Sequence, residues 1–162
     1  DRVGEVIRAV PLPGQQQTLE VATFGTYDPP PGDGSENDEQ TSGAFDSDGS
    51  TVWRTSNYRT ARLGGLKPGV GIYFDLGREG SLDGISVSSL EGGWQASIRT
   101  SSDGRSWSSP GASETAQQHH VFKAEGSHRY WMIWITELTT SPGGRPENPF
   151  SVAISEIVPS AR

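Results

Sequence analysis

About eight short apolar segments, each bounded by Gly, Pro, Asp or Ser and none long enough to fill a helix pair, set the strongest limit on how this chain can fold. The segments fall at residues 19–24, 52–55, 70–76, 82–88, 94–101, 120–124, 130–138 and 151–158. In 70–76 Ile72, Phe74 and Leu76 share one side, and in 94–101 Trp94, Ala96 and Ile98 alternate with Gln95, Ser97 and Arg99. A period of two places alternate side chains on opposite faces of a strand. Residues 130–138 are apolar at almost every position, as expected of a central strand covered on both faces. No segment carries a helical period. The expected fold is therefore all-β, an antiparallel sandwich of about eight strands.

Composition agrees. Only 31% of the 162 residues are hydrophobic, with 21 Gly and 11 Pro, which suits many turns and few helices. Five Trp, five Phe and four Tyr supply the core, because each aromatic buries a large area. Residues 19–162 are expected to form the domain and residues 1–18 a tail or linker, broken by Pro11, Pro13 and the glutamine run at 15–17.

The charge of −7 weighs against nucleic acid and against docking on anionic lipid, both of which need clustered Lys and Arg. With no cysteine there is no disulfide framework, thiolate nucleophile or zinc–cysteine site. No apolar run reaches membrane-span length. The start at Asp1 without Met reads as a mature fragment or an excised domain, whose membrane anchor would lie outside it. Motifs for a serine elbow, a phosphate loop or a zinc protease are missing, so the chain reads as non-catalytic; a glycosidase carboxylate pair, which is spatial, stays open.

Four motifs in order carry a resemblance. Residues 44–55 read Ala-Phe-Asp-Ser-Asp-Gly-Ser-Thr-Val-Trp-Arg-Thr, residues 73–77 Tyr-Phe-Asp-Leu-Gly, and residues 101–107 Ser-Ser-Asp-Gly-Arg-Ser-Trp. Residues 130–136 and 154–157 look like two closing strands. Together they resemble the discoidin, or factor 5/8 type C, domain, a galactose-binding-like jelly-roll sandwich related to carbohydrate-binding modules. The match covers roughly residues 20–158. A narrower likeness, through residues 32–37, 53–55 and 65–71, is to the extracytoplasmic C-terminal domain of mycobacterial MviN-type proteins, lipid II flippase homologues. It implies a module on the outer face of the cell membrane, recognising a glycan or peptidoglycan precursor or an extracytoplasmic protein. A structural module that has lost sugar binding is the alternative.

The resemblance implies a structural calcium held by Asp46, Asp48 and Thr51, with Glu156 closing the shell from the last strand. Oxygen donors converging from one loop suit Ca²⁺. Ser47 stands where the family has Gly, and the same loop also reads as a set of Asx turns. Ligands in this fold meet the loops at one end, here about 25–43, 54–69, 89–94 and 139–150. Aromatic faces stack on sugar C–H groups and polar side chains bond hydroxyls, which makes Tyr27, Tyr58, Arg59, Trp94, Arg145 and Asn148 the candidates. Trp94 also reads as a core residue at a strand start, and Arg54 as a partner for Glu36. His119, His120 and His128 read as surface residues.

Overall fold

Alternation becomes sheet structure wherever one face finds a core. The computed structural model describes residues 17–161. Twelve strands lie among them: β1 (Gln17–Thr18), β2 (Thr23–Tyr27), β3 (Trp53–Arg54), β4 (Val70–Ser81), β5 (Gly84–Ser89), β6 (Trp94–Ser101), β7 (Glu114–Ala116), β8 (His119–Lys123), β9 (Ser127–Glu137), β10 (Thr139–Arg145), β11 (Asn148–Ser151) and β12 (Ala153–Ala161). Short 3-10 helices occupy Asp38–Ala44 and Leu63–Gly65.

One sheet runs β2-β4-β9-β6-β7. The other runs β1-β12-β5-β8, with β3 also paired to β12. Every pairing is antiparallel. Ile72 and Phe74, Trp131, Ile133 and Ile135, and Trp94 and Ala96 turn inward from the first sheet. Ile85 and Val87, Phe122, and Ile154 and Ile157 meet them from the second. Each such side chain contributes roughly 1.5–3 kcal/mol by leaving water.

The all-β sandwich is as expected, and β9 is indeed closed on both faces, with Met132 and Trp134 as buried as their inward neighbours. Several elements differ from the sequence expectation. The strand placed at 19–24 lies at Thr23–Tyr27, because its pairing with β4 begins at Thr23 opposite Asp75. The stretch 139–150, expected as a loop, is largely the β10–β11 hairpin, in which Thr139 faces Ser151 and Arg145 faces Asn148. Residues 1–16 of the expected tail lie outside the described residues, while Gln17 and Thr18 pair with Ala161 and Ser160.

One irregularity bears directly on the candidate metal ligands. In β12 the register shifts between Ile154 and Glu156. That bulge lets Ile154 and Ile157, three apart, both face the core, and it turns Glu156 towards the loop of residues 46–51.

Candidate ligand-binding loops and acidic loop

The end of the sandwich where β2, β5 and β9 finish and β12 starts gathers the four expected loops. Two buried ionic clusters tie them together. In the first, Lys67 Nζ lies 2.8 Å from Asp28 Oδ1 and 3.4 Å from Glu36 Oε1. Tyr58 donates its hydroxyl to Glu36 Oε2 at 2.8 Å, and the Ser56 amide adds a bond of 2.9 Å to the same oxygen. The Trp53 indole N–H donates to the Glu36 carbonyl at 2.8 Å. Gly32 makes room for this arrangement, since a Cβ there would meet Asp28 Oδ1 at 1.9 Å. The long loop of residues 25–43 is thus clamped from inside, which is how so long a connection stays ordered.

Burial alone would lower the Lys67 ammonium, but the hydrogen bond to Asp28 and the neighbouring Tyr58 and Glu36 outweigh it and hold Lys67 above its ordinary value. Burial pushes the Tyr58 phenol up, and Glu36 adds to the rise while Lys67 opposes it. Lys67 is therefore charged and Tyr58 neutral at any physiological pH.

The second cluster centres on Glu91. Its carboxylate accepts from the Ala153 amide at 2.9 Å and from Ser141 Oγ at 2.6 Å, with Arg54 Nη1 at 3.6 Å. Arg54 also donates to Ser141 and Ser151. The expected Arg54–Glu36 pair is therefore replaced: Glu36 belongs to Lys67, and Arg54 belongs to Glu91. Asp28 and Glu36 are both buried and neutralised by Lys67, so they hold the loops together from inside.

The six ligand candidates separate sharply. Trp94 is fully buried, with its indole N–H donating to Ser89 Oγ at 3.0 Å and the Glu91 carbonyl at 3.2 Å, so it is a core residue and not a ligand platform. Tyr58 is likewise buried, its ring packed in the core and its hydroxyl spent on Glu36, which removes it as a stacking surface. Its polar sequence neighbours concealed this, because the carboxylate that takes its hydroxyl lies 22 residues away in sequence. Tyr27, the last residue of β2, stands at the edge of the loop end but turns to the outer face of the first sheet, half-buried against Trp107 and Trp134. Arg59, Arg145 and Asn148 do come to the loop end. Tyr58 and Phe150 exchange backbone bonds of 2.8 and 3.0 Å, which sets Arg59 beside the hairpin that carries Arg145 and Asn148. Arg59 and Arg145 are exposed, Asn148 is half-buried, and exposed Leu66 and Leu90 add apolar surface.

The acidic loop shows both of its expected aspects. The Asp48 amide donates to Asp46 Oδ1 at 3.0 Å and the Ser50 amide to Asp48 Oδ1 at 2.9 Å, two Asx turns in series. Ser47 has φ of 59°, a left-handed backbone that a glycine would adopt without strain. The loop is also rich in acceptors and poor in donors. Thr51 Oγ1 lies within bonding range of Asp46 Oδ2, the Asp48 carbonyl and the Gly43 carbonyl, yet a hydroxyl donates only one hydrogen. Glu156 Oε1 is buried without a partner, the other support for the carboxylate being the Ser47 amide. Burial raises the Glu156 carboxyl above its ordinary range, and the Asp46 and Asp48 charges raise it further. An orphaned carboxylate oxygen facing two more carboxylates and several carbonyls fits a hard cation. Among the described residues no three carboxylate or imidazole side chains alone form a metal cluster, so backbone carbonyls and Thr51 would have to complete the shell. A groove of about 580 Å³ lined by Phe24, Phe45 and Glu156 adjoins the loop.

Sequence reasoning placed all three histidines on the surface. His119 is exposed, but His120 and His128 are half-buried beside a groove of about 630 Å³ between the sheet edges, where His120 Nε2 meets Glu114 Oε1 at 2.9 Å.

No family model and no curated protein sequence matches this chain. Solved structures do. A truncated AlyQ carrying a family 32 carbohydrate-binding module and an alginate lyase domain aligns over 90% of this chain with a TM-score of 0.61 and 17% identity. This chain spans about a third of that one, at 33%. A family 32 module from a family 31 glycoside hydrolase of Clostridium perfringens aligns over 89% of this chain and 91% of its own, at TM-score 0.59 and 18% identity. The family 32 module of C. perfringens NanJ, solved with galactose, aligns over 90% and 99%, at 0.57 and 13%. The fold is the galactose-binding-like β-sandwich. It is the fold that the four ordered motifs implied. Among the described residues no helix is long and apolar enough to cross a membrane.

Proposed function

We propose that this domain is a non-catalytic module that binds a glycan through the loop end of its sandwich. The observation that carries the reading is the combination of a galactose-binding-like fold with four loops held rigid by Lys67–Asp28–Glu36 and Arg54–Glu91, leaving Arg59, Arg145 and Asn148 presented to solvent. A rigid scaffold with polar side chains on its loops is suited to bonding sugar hydroxyls. The NanJ module was solved with galactose, which makes galactosides the first ligands to try. In a thermal-shift screen of galactosides and muropeptides, at least one glycan raises the melting temperature. The double substitution Arg145→Ala, Asn148→Ala abolishes that rise without lowering the melting temperature of the free domain. No rise with any sugar would remove the reading.

The parent protein, on this proposal, is an actinobacterial membrane protein linked to peptidoglycan precursor export, with the domain on the outer face of the cell membrane. The likeness of residues 32–37, 53–55 and 65–71 to MviN-type domains supports it. One observation favours the alternative of a structural or protein-binding module: of the three aromatics expected to stack on sugar at the loop end, Tyr58 and Trp94 are buried and Tyr27 turns to the outer sheet face.

We also propose a structural calcium at Asp46, Asp48, Thr51 and Glu156, supported by the orphaned Glu156 oxygen and the surplus of acceptors around Thr51. The sign of the pH effect follows from Glu156. Its carboxyl is raised in the folded state, so the metal-free domain gains stability as pH falls and loses it as pH rises through the folded value. Millimolar Ca²⁺ at neutral pH raises the melting temperature and EDTA lowers it. Glu156→Gln makes the metal-free domain more stable at neutral pH and insensitive to Ca²⁺. A melting temperature indifferent to both Ca²⁺ and EDTA in the unmodified domain would contradict the proposal.

A further inference from the structure

The outer face of the first sheet carries a second aromatic layer, outside the core between the sheets. The register places Tyr27 of β2, Tyr73 of β4, Tyr130 of β9 and Arg99 of β6 on that one face, above buried Met132 and Trp134. Gly25 lets the layer lie flat, since a Cβ there would meet the Tyr73 hydroxyl at 2.6 Å. The connection after β6 folds back along it. Ser108 donates its amide to the Thr100 carbonyl at 2.8 Å and receives Arg99 Nε on its own carbonyl at 2.9 Å. Trp107 is thereby laid among the rings of Tyr73, Tyr27 and Tyr130, at centroid distances of 5.4, 5.9 and 6.4 Å. These four aromatics stay half-buried, so the sheet face ends in a partly open aromatic surface. The Trp107 indole N–H is buried with no acceptor.

Two arginines flank the surface, and they differ. Arg129 is neutralised by Asp75 through bonds of 2.8 and 2.9 Å. Arg99 lies 4.7 Å over the Trp134 ring and 5.8 Å from Tyr27, and its terminal nitrogens hold no hydrogen bond and no carboxylate among the described residues. It is a fixed guanidinium with its fork unused, next to open aromatic rings. That pairing matches a pyranose bearing a carboxylate: the C–H face of the ring stacks on the aromatics, and the carboxylate takes the fork. The net charge of −7 repels a long polyanion, so recognition here is local, one carboxylate at one guanidinium.

We propose that this face is a second binding surface, specific for uronic-acid sugars, distinct from the loop end and extending the glycan-binding reading to another class of ligand. The test is calorimetric titration of the full chain with tetragalacturonate and, separately, with neutral galactotetraose. Tetragalacturonate binds and quenches tryptophan fluorescence. Arg99→Gln weakens it by about ten- to a hundredfold, the range of a charge-assisted hydrogen bond. Trp107→Phe, checked by its melting curve, weakens it as well, whereas Arg145→Ala, Asn148→Ala leaves it unchanged. Failure of tetragalacturonate to bind, or equal binding by Arg99→Gln, overturns the proposal. Galactotetraose binding that is lost only in the loop-end variant would then leave the loop-end reading standing; if neither sugar binds, both fail.

Discussion

Lys67→Met should lower the unfolding free energy by about 3–5 kcal/mol, a large share of the stability of a single domain. The reason is what the substitution leaves behind. Asp28 and Glu36 are almost fully buried, and Lys67 is the cation that both touch. Without it two carboxylates remain in a site that water barely reaches, and each must either stay charged without a counter-charge or take up a proton. The variant should therefore recover part of its stability as pH falls, because protonation removes the stranded charges. Adding Glu36→Gln to Lys67→Met should restore part of the loss at neutral pH, because one of the stranded charges is gone. Urea unfolding at pH 7 and pH 5 reads all three effects. A loss below about 1 kcal/mol would mean that the charges are solvated and that the clamp on the long loop is weak.

Trp94→Ala carries a comparable cost, about 3–5 kcal/mol, for a different reason. The indole is wholly buried against Phe122 and its N–H is satisfied by Ser89 and Glu91, so truncation opens a cavity and removes both hydrogen bonds. Sequence position alone allowed Trp94 as a sugar platform at the loop end. That role would give a variant of near-normal stability that loses only binding. Denaturant unfolding of Trp94→Ala separates the two, and Trp94→Phe, which keeps most of the volume, should cost clearly less.

The strand rhythm and the motif order were legible because they depend on neighbours in the chain. Alternation in Ile72–Phe74 and Trp94–Ile98 reports a covered face whatever covers it. The apolar run around Trp131–Ile135 likewise announced a strand buried on both sides. The site was less legible because its chemistry is made between distant segments. Lys67 finds Asp28 across 39 residues, and Glu91 finds Ala153 across 62. Nothing local marks either pair. Tyr58, set among Ser, Asn and Arg, looked like a loop aromatic, and its burial follows from its backbone bridge to Phe150 and its hydroxyl bond to Glu36, both distant in sequence. Glu156 was recognised through its place in a motif, but the bulge that aims it at Asp46 and Asp48 leaves no trace in the sequence. Nor does the motif at residues 101–107 reveal that Trp107 covers the outer face, because that follows from the turn after β6 folding back over the sheet.

The picture that results is a sandwich whose loop end is braced from inside by buried charges and whose exposed polar groups are left for a ligand. Titration of the isotopically labelled domain with galactose-containing oligosaccharides, followed by amide chemical shifts, tests this most directly. Saturable shifts confined to residues 56–66 and 144–150, which carry Arg59, Arg145 and Asn148, are the expected result. Titrations that leave those two segments unmoved with every glycan tried would contradict this picture.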